Sequence, residues 1–465
     1  MPPPTSAKRD NLPLKTKLAY GAGDMGAGIT STIESFVFLI FLTSVAGLSP
    51  GWAGFVLLVG RIWDAVNDPV VGGLSDRTRF RWGRRHTWML MGSIPFGITF
   101  FLLWIVPQFS PDPQTNELWL VAYYSLMFVL FDTAYTAVNL PYTALTPELT
   151  PDYDERTNLN SYRFAFSIGG SILALALGAG MEQLFDAPEQ QRLQYMTLGA
   201  VAAVLAVIPI YVCVGGTEER YPGQTTEDIS LVKQFKVAWQ NRPFLYVMGI
   251  YLFSWLAFQL TASILPYYVV NWMQQDNFFP VALVVQSVAV VMLFVWSRVS
   301  DRVGKRATYG LGMVAWIGAQ FGLFFLSRDQ VKLMYGLATI AGFGVAVAHL
   351  IPWSMLPDVV DLDELRTGQR REGIFYSFMI LLQKVSLGLG LFIVGQVLEI
   401  FGFVEGTAGQ PPPTQPESAL QAIRWVVGPL PAVILLAGLV LTYFYPMTRE
   451  AHDEILLQLH EGEEE

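Results

Sequence analysis

The sequence predicts an all-α membrane protein: twelve transmembrane helices in two six-helix bundles, with both termini in the cytoplasm. Three observations carry that prediction. The 465 residues are 52% hydrophobic and only 14% charged, whereas soluble domains run near a quarter charged. Apolar stretches of about 20 residues or more, each long enough to cross a hydrocarbon core, recur along the chain. Finally, Ser75-Asp76-Arg77 returns as Ser300-Asp301-Arg302, about half a chain later.

In order, the predicted spans are 17–46, 51–74, 87–107, 118–146, 160–184 and 194–216, then 244–273, 279–298, 307–327, 333–357, 373–402 and 420–446. The polar stretch from Thr217 to Arg242 divides them six and six. The expected organisation is therefore a first bundle over 1–216, a cytoplasmic linker over 217–242, a second bundle over 243–447 and an acidic tail over 448–465. Of the 29 lysines and arginines, 22 fall in loops on one side and 4 on the other. Basic residues are retained in the cytoplasm, so both termini are placed there.

Several function classes lose support at once. The net charge of −9 gives no reason to expect a nucleic-acid partner. Cys213 is the only cysteine, which removes disulfides and cysteine metal sites, and the four histidines have no ligand partner at helical spacing. The chain has no Walker A loop, no His-Glu-x-x-His helix and no nucleophile elbow. An enzyme and a resident cofactor are therefore not expected.

The second span holds the densest chemistry. Arg61, Asp64 and Asp68 are three and four residues apart, so they share one face of a helix with Asn67 beside them. A charge at mid-membrane costs roughly 2.5–3.5 kcal/mol by insertion scales. Such a face must look into a protein-lined or wet interior. One arginine cannot neutralise two carboxylates, which favours a cation site over a purely structural ion-pair cluster. In the fourth span Asp132, Tyr135, Thr136 and Asn139 fall on one side. Thr136 offers a hydroxyl oxygen of the kind hard cations prefer; interhelical hydrogen bonding is the competing use of Thr136 and Asn139.

In the first span, Asp24 is expected near the cytoplasmic surface and solvated, while Glu34 is the deeper, interior candidate. Arg163 is expected to meet a substrate oxygen or Asp132. Lys384, alone at the centre of the eleventh span, needs a counter-charge, and Asp64 or Asp68 is the candidate. His349 reads as a hydrogen-bonded core histidine. Two features read as gates of breakable ion pairs. One is the repeated hairpin with Asp76, Arg77, Asp301 and Arg302; the other is the alternating stretch with Asp358, Asp361, Glu364, Arg370 and Glu372.

Five motifs give these residues a family likeness: Arg61-Ile-Trp-Asp-Ala-Val-Asn-Asp-Pro69, Ser75-Asp-Arg-Thr78, Tyr162-Arg163, Asp358-Val-Val-Asp361, and Glu372-Gly-Ile-Phe-Tyr-Ser377 leading to Lys384. Through them the chain resembles the glycoside–pentoside–hexuronide:cation symporters of the major facilitator superfamily. The resemblance implies that Asp64 and Asp68 hold the coupling cation, with Asn67 and Thr136 as further oxygen ligands. Sodium is the implied driver, with protons and lithium as alternatives. Arg163 matches an arginine that contacts sugar, Tyr135 lines the same cavity, and Lys384 matches a lysine near the cation site.

The departures concern the cargo. Gly28 and Asn139 stand where the family's sugar carriers have acids for the sugar hydroxyls, and Thr143 replaces an aromatic. Val138-Asn-Leu-Pro-Tyr-Thr-Ala-Leu145 and Ile351-Pro-Trp-Ser-Met-Leu-Pro-Asp-Val-Val360 are also similar to the sodium-dependent lysophosphatidylcholine symporters, whose helix 4 acid corresponds to Asp132. The expectation is a monomer in a bacterial inner membrane that imports a sugar or glycoside with a cation. A lysolipid carrier is the first alternative and a non-transporting sensor the second.

Overall fold

The computed structural model describes residues 12–150, 153–185, 187–220, 237–368, 372–406, 413–447 and 449–464. Among them every regular element is a helix. The long ones are α1 (Leu14–Ser44), α2 (Pro50–Arg77), α3 (Arg84–Leu102), α4 (Pro113–Ala144), α5 (Tyr153–Leu184) and α6 (Gln191–Gly216), followed by α7 (Arg242–Trp272), α8 (Phe279–Val303), α9 (Lys305–Phe325), α10 (Val331–Thr367), α11 (Glu372–Ile400) and α12 (Glu417–Phe444). A terminal helix, α13 (Arg449–Glu464), follows.

Ten of these are long and apolar enough to cross a membrane by length and composition alone. The two outside that set, α2 and α3, were both expected as spans. In α2 the reason is plain: Arg61, Asp64, Asn67 and Asp68 dilute an otherwise apolar run.

The packing repeats. In the first half α1 lies against α5 and α6, α4 against α2 and α3, and α3 against α6. In the second half α7 lies against α11 and α12, α10 against α8 and α9, and α9 against α12. Each pairing becomes its counterpart by adding six to the helix number. The halves meet through α2 on α11 and α5 on α8, two contacts that exchange under the same rule.

Glycine sets the separation of α2 and α11. A Cβ on Gly388 would lie 2.8 Å from the Cβ and Cγ of Arg61, so only glycine lets the helices come this close. Further links between the halves cluster at the ends remote from the Ser75–Arg85 loop. The Thr43 and Tyr267 hydroxyls are 2.7 Å apart, Gln396 Nε2 donates to Gly51 O at 3.1 Å, and Gly406 N donates to Thr43 O at 3.1 Å.

Candidate functional site

Four helices bring six ionisable side chains together at the α2–α11 contact. α2 supplies Arg61, Asp64 and Asp68, α4 supplies Asp132 with Thr136, α1 supplies Glu34, and α11 supplies Lys384. The i, i+3, i+7 spacing in α2 and the i, i+4 spacing in α4 turn these groups toward one another. Gly60 makes room: a Cβ there would stand 2.8 Å from Asp132 Oδ2.

Two sub-networks share Asp64. In one, Arg61 pairs with Glu34 and holds Asp132 Oδ1 at 3.5 Å and Asp64 Oδ2 at 3.8 Å. In the other, Lys384 Nζ stands 2.9 Å from Asp64 Oδ2 and 2.5 Å from Asp68 Oδ2. The Thr136 hydroxyl lies 3.1 Å from Oδ1 of both Asp64 and Asp68. The two carboxylates are thus bridged twice, by a hydroxyl on one edge and an ammonium on the other. Asp64 and Asp132 are fully buried, whereas the Asp68 side chain keeps 29% of its surface. With all six groups ionised, four acids face two bases, an excess of two negative charges. Burial of such an excess is costly without a further cation.

The expected residues do not all converge. Asn67 is buried on α2, but its Nδ2 has no hydrogen-bond partner and no described contact joins it to the carboxylate pair. The polar side of α4 is divided. Asp132 and Thr136 face the cluster, whereas Asn139 Nδ2 donates to the Tyr135 hydroxyl at 3.1 Å and both line a small cavity against Gly23, Gly26 and Tyr142.

Two expectations need correction. Asp24 is not solvated; it is 5% exposed and holds Arg163 Nε at 3.2 Å. Arg163 therefore pairs with Asp24 rather than Asp132, which Arg61 has claimed, and its guanidinium lies over the Tyr142 ring. His349 is a core histidine as expected: its Nδ1 lies 2.8 Å from Val345 O and its ring packs on Trp255.

The residues expected to form gates sort by half. Asp76 pairs with Arg85 at 2.6 Å, while Arg77 is exposed. Arg84 and Arg85 converge on Glu148 at 2.6 and 2.9 Å, and Arg85 also donates to Ser75 Oγ at 3.0 Å. In the second half Asp301 and Arg302 are exposed at the end of α8, and Lys305 makes the corresponding contact, with Asp358 at 2.7 Å. His452 Nε2 reaches Asp361 at 3.0 Å, and Glu364 is half-buried. Arg370 lies outside the described residues, as does the side chain of Glu372, whose backbone opens α11.

Sequence reasoning missed Glu148 and Glu219. Glu219 accepts hydrogen bonds from the backbone N–H groups of Arg84, Arg85 and His86 at 2.8–2.9 Å, closing the start of α3. The signal for Glu148 was present: Pro147-Glu148 and Pro357-Asp358 are matching pairs near the ends of α4 and α10, each opposite a basic residue that follows a positive-φ glycine, Gly83 or Gly304. Among the described residues no group of three or more His, Cys, Asp and Glu side chains is arranged to hold a metal ion.

Comparison with known proteins agrees with this fold. A symporter of Synechocystis of otherwise uncharacterised activity is 47% identical over 98% of this chain and 98% of its own length. The zebrafish sodium-dependent lysophosphatidylcholine symporter 1-A is 28% identical over 100% of this chain and 92% of its own length. YagG of Escherichia coli, named a glycoside/cation symporter, is 27% identical over 96% and 95%. The inward-open xylose transporter XylE of Escherichia coli shares the fold, with a TM-score of 0.65 at 12% identity over 95% of this chain and 98% of its own. The family model described as MFS/sugar transport protein matches residues 19–449, and the chain belongs to that family, a multi-pass membrane transporter family of the major facilitator superfamily.

Proposed function

We propose that this protein is a cation-coupled symporter that imports a sugar or glycoside by alternating access, with sodium held between Asp64 and Asp68. The observation that carries the reading is the doubly bridged carboxylate pair, with Lys384 Nζ within 2.9 Å of both residues. Two carboxylates and the Thr136 hydroxyl make an all-oxygen donor set, the kind that suits sodium or lithium. The Lys384 ammonium already stands where a cation would be attracted.

The cycle follows from competition. A sodium ion entering between Asp64 and Asp68 shares their charge with Lys384 and weakens its hold. Lys384 belongs to α11 and the acids to α2, so ion binding alters a link between the halves. A substrate that binds better to the altered arrangement shifts the population toward it, and the halves rock about the midplane. The Arg84–Arg85–Glu148 and Lys305–Asp358 contacts would break and re-form at the inner ends. The 22-to-4 distribution of basic residues and the cyanobacterial relative support twelve spans, cytoplasmic termini and a bacterial inner membrane.

A second reading, a cation-coupled carrier of lysolipids, is favoured by the relatives that are 28% identical. Proteoliposome uptake of sugars and of lysophospholipids, each with and without an inward sodium gradient, separates the two. Sodium-stimulated accumulation of a sugar supports the first reading, accumulation of a lysolipid the second. Ligand binding without accumulation of either rejects transport.

A further inference from the structure

We propose that a groove on the outer face of α3 and α4 holds a resident anionic phospholipid of the cytoplasmic leaflet. The inference is independent of the cargo. The groove has a volume of about 490 Å³ and is lined by Thr78, Trp88, Met91, Leu130, Thr133 and Ala137 among others. Met91 is 70% and Leu130 42% exposed, so it opens outward between the helices. It follows α3 from Thr87 to Thr99, about 18 Å at 1.5 Å per residue. One leaflet of hydrocarbon is about 15 Å deep. The groove is therefore about as long as one leaflet is thick.

Its chemistry suits a hydrocarbon chain along its length and a charge at one end. Every lining threonine is bonded internally: Thr78 to Leu74 O, Thr87 to Gly83 O, Thr99 to Pro95 O and Thr133 to Val129 O. The indole N–H groups nearby are also taken, Trp88 by Thr78 at 2.7 Å and Trp63 by Thr133 at 2.8 Å. A polar ligand would find little to bind inside.

At the Thr78 end the loop reads Arg77-Thr-Arg79-Phe-Arg81-Trp82. The three arginines are exposed, and among the described residues no carboxylate pairs with them; the nearest acid in sequence, Asp76, is engaged by Arg85. Phe80 and Trp82 are 53% and 48% exposed, the placement of aromatic anchors at a membrane interface. Basic residues beside an intramembrane groove on the cytoplasmic side are complementary to anionic headgroups. The second half lacks this end: only Val303 separates Arg302 from Gly304, where five residues separate Arg77 from Gly83. The groove also lies behind α4, with Thr133 and Ala137 toward it and Asp132 and Thr136 toward the ion cluster, so it is not the transport route.

The test is native mass spectrometry of the full chain, released into mild detergent with dioleoyl phosphatidylglycerol or dioleoyl phosphatidylcholine. Wild type is expected to retain one phosphatidylglycerol with about tenfold preference. The pair Arg79→Gln and Arg81→Gln should lose that preference, and Leu130→Trp, which fills the groove, should lose retention of both lipids. Soluble glycerol phosphate should not compete. As a check needing no disruptive variant, brominated phosphatidylglycerol should quench a fluorescence component that disappears in Trp88→Phe. Equal retention of both lipids by wild type, a preference that survives loss of the arginines, or no Trp88 quenching would overturn the proposal. So would a dimer abolished by Leu130→Trp, which would give the groove to a second copy.

Discussion

α2 and α8 hold corresponding places and do different work. Each packs on the fourth helix of its half, each reaches across to the other half, and each carries Ser-Asp-Arg in its last turn. Asp76 and Asp301 are 225 positions apart, and the same offset sets Arg61 against Gln286, Asp64 against Ala289 and Asp68 against Leu293. The repeat therefore preserves the scaffold and the hairpin after the helix, but the charge-bearing face belongs to α2 alone. The symmetry lies in how the helices pack, and the asymmetry in which of the two helices carries ionisable side chains. Lys384 is the group through which the second half enters the ion cluster.

The comparison breaks first at Asp64. Asp64→Asn should cut sodium-stimulated uptake at least about a hundredfold, ~2.7 kcal/mol, and adding Ala289→Asp in α8 should not restore it. Uptake against sodium concentration in vesicles checks both, and rescue by the α8 carboxylate would mean that the halves are chemically interchangeable. Next in size, Gly388→Val forces a side chain into Arg61 at the α2–α11 contact. About 1–3 kcal/mol of destabilisation is expected for such overpacking, visible as a lower Tm.

Lys384→Ala sharpens the ion argument. With the competing ammonium gone, apparent sodium affinity should rise about tenfold, ~1.4 kcal/mol, while coupled uptake falls. Weaker sodium binding in that variant would make Lys384 a positioning group instead of a competitor. The smallest effect compares the hairpins. Glu148 serves two arginines and is 3% exposed, whereas Asp358 pairs with Lys305, whose side chain is 34% exposed. Glu148→Gln should therefore destabilise the fold by about 1 kcal/mol more than Asp358→Asn, read as the larger drop in Tm, with sodium stimulation kept in both.

Much of this was legible in the sequence, for physical reasons. Ten of the twelve long helices announce themselves by length and hydropathy, and the face shared by Arg61, Asp64 and Asp68 follows from helical periodicity. Lys384 was assigned to the pair because a buried ammonium demands an acid. What failed was local competition between partners. Periodicity put Tyr135 and Asn139 on the same side as Asp132 and Thr136, but a helix side about 100° wide meets two neighbours, and α1 took one part while α2 took the other. Asp24 looked solvated because only depth was considered; its buried place comes from Arg163 on α5. Glu219 was out of reach because a carboxylate that closes a helix start from a distant segment leaves no periodic trace.

The most direct measurement is sodium-dependent substrate uptake by proteoliposomes carrying wild type or Asp68→Cys, at matched amounts of folded protein. Loss of sodium stimulation in the variant, with the protein still in the membrane, is the predicted result. Sodium dependence unchanged from wild type would contradict a cation site between Asp64 and Asp68.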